Sequence, residues 1–228
     1  MLRHLLISLV LILSTTQAAI AGISEEEKAH DAAVVLRELA TIPEEGIPPR
    51  LLQQAYAIAV IPDVLKVGFI FGGRRGEGVL SVRTADGRWS NPSFITLTGA
   101  SVGWQIGASS TDLILVFKSR DSVERITQGK ITLGADVGIA AGPVGRQAAA
   151  TTDIRFESEA YSYSRSRGLF AGVSAEGAAL QIDDVANADF YSDRNIGPNE
   201  ILSTSSRNKL PDAGKDFVRT LEHFSPAR

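Results

Sequence analysis

Val102-Gly103-Trp104-Gln105-Ile106-Gly107 decides the fold, because bulky apolar residues occupy every second position while two glycines stand four apart. Successive side chains of a strand point to opposite faces, so residues at an even spacing share one face. Val102, Trp104 and Ile106 therefore make an apolar face, and Gly103 and Gly107 belong to a bare one. The same spacing recurs at Gly134, Gly138 and Gly142, opposite Ile131, Leu133, Val137 and Ile139, and again at Gly168 and Gly172. A sheet with one bare face permits strong curvature and close approach of a second layer. Glycines four apart also mark helix pairs inside membranes, but none of these stretches has the long apolar run that needs.

Working outward, short apolar or alternating runs at Ala57 to Ile61, Val67 to Phe71, Gly78 to Val82, Ser93 to Leu97, Val102 to Ala108 and Leu113 to Phe117 predict strands, separated by glycines and turn dipeptides such as Asp86-Gly87. The pattern resumes in Ile131 to Ala141, Thr152 to Glu157, Ala160 to Arg165 and Leu169 to Ile182. Helices flank it. Ser24-Glu25-Glu26-Glu27 forms a capping box, and Ala29, Ala32, Ala33, Leu36 and Ala40, widened by Val35 and Leu39, predict a helix from Glu25 to Ala40 with a core-facing stripe. Pro48 starts a short helix to about Tyr56, Asp121 to Gln128 makes a helical turn, and Pro211 to Phe224 closes the chain as a helix. The expected fold is α+β: a strongly curved, mostly antiparallel sheet or partly closed β-barrel with N-terminal and C-terminal helices packed on it.

Residues 1–21 read as a signal peptide. Arg3 precedes an apolar run from Leu5 to Leu13, and Ala19-Ile20-Ala21 fits signal-peptidase cleavage after Ala21. That run is shorter than the ~20 residues that span a bilayer. The expected location is therefore periplasmic or secreted. The expected organisation is a domain over 22–203 followed by a helical tail over 204–228. Across 228 residues there are 23 Lys+Arg against 26 Asp+Glu, a balance that speaks against nucleic acid as a ligand, which needs a broad basic face. Zero cysteines exclude disulfides and thiolate metal sites.

Several short motifs occur together and in order. They are Ala59-Val60-Ile61-Pro62, Lys66-Val67-Gly68-Phe69-Ile70-Phe71-Gly72-Gly73, Gly76-Glu77-Gly78-Val79, Trp89-Ser90-Asn91-Pro92, Gly103-Trp104-Gln105-Ile106-Gly107, Leu133-Gly134-Ala135-Asp136, Ala141-Gly142-Pro143-Val144-Gly145-Arg146, and Tyr161-Ser162-Tyr163-Ser164 with Gly168-Leu169-Phe170-Ala171-Gly172. In this order they resemble the SYLF domain, over roughly Ser24 to Ser203. The resemblance implies a non-enzymatic module that binds phosphoinositides or other anionic phospholipids, with actin as a partner in the fungal branch. For an exported bacterial member it implies phosphatidylglycerol or cardiolipin in place of phosphoinositide, and no actin.

Phosphate is held by arginine forks, lysine charges and free backbone amides. Gly72-Gly73-Arg74-Arg75-Gly76, with Lys66 nearby, reads either as a basic hairpin tip that touches head groups or as an ordinary solvated turn. If the strand persists, Tyr161, Tyr163, Arg165 and Arg167 share a face, either for a head group or for cross-strand pairing with acids such as Glu157 or Glu159. Arg146 is a further cation on a turn. The expected lipid contacts are thus Lys66, Arg74, Arg75, Arg146, Tyr161, Tyr163, Arg165 and Arg167, with no cofactor and no metal. The alternative function is a cell-envelope structural or protein-interaction module.

Gly99-Ala100-Ser101-Val102-Gly103 matches the Gly-x-Ser-x-Gly pattern, giving a remote serine esterase reading through Ser101. That chemistry requires a strand, a sharp turn and a helix, together with a histidine. The residues that follow read as strand, and beyond the signal segment only His30 and His223 remain. Asp183, Asp184, Asp189 and Asp193 lack calcium-loop spacing and read as caps of a turn.

Overall fold

The computed structural model describes residues 25–40, 46–144, 156–166 and 169–226, with the backbone alone described over 66–72 and 100–109. Two very long strands dominate it. β1 (Ala57–Val82, 26 residues) and β2 (Ser93–Phe117, 25 residues) pair antiparallel from Ala57 opposite Phe117 to Leu80 opposite Ser93. Strands usually run 3–10 residues, so a ribbon this long must bend. The runs that looked like separate strands are continuous here, because Pro62-Asp63 falls in a bulge of the ladder and Gly72-Gly73 pair regularly within it, opposite Ser101 and Ala100, so neither ends the strand.

The register shows how the bend is made. Between Ile61 and Val64, β1 advances three residues while β2 advances two, and Asp63 takes φ 49° at this bulge. One extra residue inverts the side-chain alternation of β1. Before it, Ile58 and Val60 join the core beneath the helices while Ala57, Ala59 and Ile61 face the inside of the curled sheet. Beyond it, Val79 is on the helix side and Val64, Leu80 and Val82 are inside. The second shift, between Gly68 and Ile70, adds two residues to β2, an even number. β2 accordingly keeps its parity, with Phe94, Ile114 and Val116 under the helices and Ile95, Leu97, Leu113, Leu115 and Phe117 inside.

The rest of the sheet grows from β2. β5 (Ala160–Ser166) pairs with Asp112 to Phe117, and β7 (Ala178–Ile182) pairs with Ile95 to Gly99. β4 (Ile139–Ala141) runs parallel to β5, β6 (Leu169–Gly172) antiparallel to it, and β3 (Ile131–Thr132) borders β7. The result is an α+β half-barrel with a strongly curled, mostly antiparallel sheet. The stretch Ile131 to Ala141 is two short strands, since Gly134 turns the chain at φ 90°. Leu169 to Ile182 likewise divides into β6 and β7.

Helix α1 (25–40) buries Ala29, Ala32, Ala33, Val35, Leu36 and Leu39, whereas Ala40 is exposed and does not extend the stripe. Its apolar face is therefore spent in the core. α2 (Pro49–Gln54) and the closing helix α6 (Asp212–Phe224) complete that layer through Leu51, Phe217, Val218 and Leu221. Arg37 of α1 bonds Asp216 of α6 at 2.8 Å. α3 (Arg120–Gln128) inserts Val123 and Ile126 into the interior of the curl. Two helices were not anticipated, α4 (Asp184–Tyr191) and α5 (Pro198–Ser203). Asp183 caps α4 by accepting from the Ala186 amide at 3.0 Å, so the acid-rich stretch begins a helix. Ser24, residues 152–155, Arg146 and Arg167 lie outside the described residues.

Candidate lipid-contacting pole

The ladders set two poles. Residues 64–75 and 99–110, where the ribbon bends, form one; Tyr56, Arg83 and Lys118, where its ends meet, form the other. Arg74 and Arg75 belong to the bend but not to a hairpin tip, since they pair with Gly99 and Thr98 inside the ladder. Arg74 spans to the loop before β7, donating to the carbonyl oxygens of Ala175 at 3.1 Å and Glu176 at 2.7 Å. Partial burial lowers its pKa. Arg75 is the open cation, with 70% of its side chain exposed and one contact to Glu77 at 3.0 Å. Glu77 also binds Lys28 of α1 at 2.7 Å, and Lys28 binds Glu25 at the same distance. The backbone of Lys66 pairs opposite Ser109 at this pole.

Tyr161, Tyr163 and Arg165 share a face as strand parity requires, but that face is covered by helices. Tyr161 is buried, accepting from the Ser158 amide at 3.1 Å and meeting Phe156 edge-on. Tyr163 is fully buried and lies parallel to Phe170 at 5.2 Å, and burial pushes its pKa up. A Cβ on Gly142 would fall inside the Tyr163 ring, so the bare glycine admits an aromatic layer here. These two phenols are core residues because the β5 face that carries them packs beneath the helices.

Arg165 sits at the pole-side end of β5 and grips Asp112, its cross-strand neighbour, at 2.7 and 2.8 Å, while its other nitrogen meets Glu38 of α1. The acids that pair with it are thus Asp112 and Glu38; Glu159 is used elsewhere, accepting from the Gly138 amide. Asp112 also accepts from the Asp63 amide at 3.1 Å, and Asp63 accepts from Ser110 at 2.8 Å. Burial pushes the Asp112 carboxyl up, and the bond it accepts from the Asp63 amide opposes this. Ser101 pairs opposite Gly72 within an unbroken strand, so the sharp turn a nucleophilic serine needs is missing at this position.

Sequence reasoning missed two residues at this pole. Leu65 is 46% and Leu169 is 75% exposed, two of three large hydrophobics so exposed among the described residues. Their signal was position: Leu65 sits beside Lys66 in sequence, and Leu169 follows Arg167 by two residues and begins β6. A cleft of ≈ 310 Å³ joins Leu65 and Arg75 to Lys28, Asp31 and Glu77. Among the described residues there is no cluster of three or more metal-binding side chains, and no helix is long and apolar enough to cross a membrane.

The geometry defines a helix-covered, coiled β-ribbon domain in which exposed Leu65 and Arg75 share a cleft at the bend. Residues 98–224 match the Ysc84 family, described as Las17-binding protein actin regulator. Protein YSC84 of Saccharomyces cerevisiae is 43% identical over 182 residues, 78% of this chain and 38% of that protein. The SH3 domain-containing YSC84-like protein 1 of Xenopus laevis is 36% identical over 206 residues, 88% of this chain and 61% of that protein, and its human counterpart is 33% identical over the same length. The chain belongs to the Ysc84, or SYLF domain, family. It spans from about two fifths to three fifths of the relatives it matches.

Proposed function

We propose that this domain is an exported, non-enzymatic module that docks on anionic phospholipid through the pole of the ribbon bend. The observation that carries the reading is the pairing of exposed Leu65 and Leu169 with the open Arg75 at one end of the molecule. Lys66 adjoins Leu65 in sequence, and Arg167 stands two residues before Leu169. A basic residue near an anionic bilayer contributes about 1 kcal/mol, and full burial of a leucine roughly 1.5–3 kcal/mol. The two leucines therefore supply at least as much as the cations, and docking should weaken with salt without vanishing.

Export rests on Arg3, the apolar run from Leu5 to Leu13 and Ala19-Ile20-Ala21. Phosphatidylglycerol and cardiolipin are then the expected lipids. An actin or Las17 partner is named for the family and belongs here only by analogy.

Flotation of residues 22–228 with phosphatidylglycerol–cardiolipin vesicles tests the reading. The protein should float, and both Arg75→Glu and Leu169→Asp should lower the apparent affinity about tenfold, a loss of ~1.4 kcal/mol. No flotation at low salt, or unchanged affinity in both variants, ends this reading. Intact-mass analysis of protein from a secreting host tests cleavage after Ala21.

A further inference from the structure

Four side chains of α1 and β1 form a row of alternating charge, Glu25, Lys28, Glu77 and Arg75. Lys28 meets Glu25 and Glu77 at 2.7 Å each, and Glu77 meets Arg75 at 3.0 Å. Side-chain exposure rises along the row from 9% through 24% and 33% to 70%, so it runs from the core out to the bend. Glu77 is the shared member, with Oε1 facing Arg75 and Oε2 facing Lys28. Bonds from Lys28 and Arg75 hold its carboxyl below the usual range, so it is ionised at neutral pH. The cleft at this place sets three carboxylates, Asp31, Asp63 and Glu77, against Lys28 and Arg75, and so is no anion pocket by itself. What a charged bilayer meets is the part of the Arg75 charge that Glu77 leaves uncancelled.

We propose that Lys28 is a positioning residue for docking, acting by drawing Glu77 away from Arg75. The inference rests on the bilayer reading above and adds the device that sets the strength of the contact. A carboxylate has one charge to divide, so each cation that holds it reduces what it cancels on the other. Water weakens ion pairs, and the Lys28 contact is both shorter and less exposed than the Arg75 contact. Glu77 is therefore tethered chiefly from α1. Arg75 is the loose end of the row, the member that can turn its fork to a phosphate. Neutralising Lys28 and Glu77 should then change docking with opposite signs.

The test is flotation of residues 22–228 with phosphatidylglycerol–cardiolipin vesicles, titrated in lipid. Glu77→Gln should bind about threefold tighter than the parent and Lys28→Met about threefold weaker, the scale of partly exposed ion pairs. In the Glu77→Gln background, Lys28→Met should change little, because no carboxylate is left to draw off. An equal loss in both backgrounds would show Lys28 touching lipid directly and overturn the proposal. The gain from Glu77→Gln should vanish once Arg75→Gln is added; a gain that persists is the mere removal of a repelling charge and overturns it too. Thermal denaturation reports folding, and weaker docking in both single variants would reduce the Lys28 and Glu77 contact to a structural tie, against the proposal. A parent that does not float ends the bilayer reading and this inference together. A parent that floats, weakens with Arg75→Glu and is unmoved by Glu77→Gln ends this inference alone.

Discussion

Gly78 of β1 lies directly on the earlier course of its own strand: a Cβ there would stand 2.7 Å from the Ile61 Cα and closer still to the Val60 carbonyl oxygen. With the bond from the Arg83 amide to the Tyr56 carbonyl at 2.7 Å, this contact closes the ribbon on itself. The close approach is to backbone, which cannot rotate away.

Gly78→Ala should therefore destabilise the domain by about 3 kcal/mol or prevent folding, as overpacking against an immovable backbone does. Gly73→Ala, at a site where an added Cβ meets nothing within 4 Å, should change stability by less than about 0.5 kcal/mol. Urea denaturation of the pair checks this; equal midpoints would refute self-closure.

Tyr163→Phe removes a hydroxyl whose bond to the Pro143 carbonyl is 3.4 Å long, a weak contact, so it should cost less than about 1 kcal/mol and leave vesicle binding unchanged. Tyr163→Ala empties the space between Phe170 and Gly142 and should cost about 3–5 kcal/mol. A selective loss of flotation in the phenylalanine variant would return Tyr163 to the lipid site.

Arg165→Ala strands the carboxylate of Asp112 beside Asp63 and Glu38. A loss of about 2 kcal/mol is expected, below that of a fully buried pair because Arg165 keeps 23% of its side chain exposed. Adding Asp112→Asn should recover much of that loss in thermal denaturation, which a pure lipid-binding role for Arg165 does not predict.

Glu25 is buried, one carboxylate oxygen has no hydrogen-bond partner, and burial pushes its pKa above the ordinary 4.5. The folded state thus holds its proton more tightly than the unfolded chain. Its contribution to stability is complete below the ordinary value and is lost as pH rises through the raised one. Glu25→Gln should remove that loss, so the stability difference between variant and parent should grow in the variant's favour over that window. An unchanged difference in denaturation midpoints across it would contradict the assignment.

Much of this was legible in residues close in sequence. The stripe of α1 was readable because helical periodicity needs only local spacing, and the pair Tyr161 and Tyr163 fell on one face because strand parity is local too. Asp86-Gly87 gave its turn, with Gly87 at φ 77°. What failed were decisions that depend on distant partners. Gly72-Gly73-Arg74-Arg75 has the composition of a turn, and only the opposing Thr98 to Ser101 keeps it in a ladder.

The sequence by itself determined an α+β chain with a curved, glycine-faced sheet and helices at both ends, because apolar period and glycine spacing are encoded within a few residues. Only the tertiary structure decided which cations are committed and which are open. Arg74 and Arg165 answer to Ala175, Glu176, Asp112 and Glu38, partners brought in from far along the chain, while Arg75 answers to Glu77, two residues away. Electrostatic energy depends on distance in space and on exclusion of water, and neither is written in the order of residues.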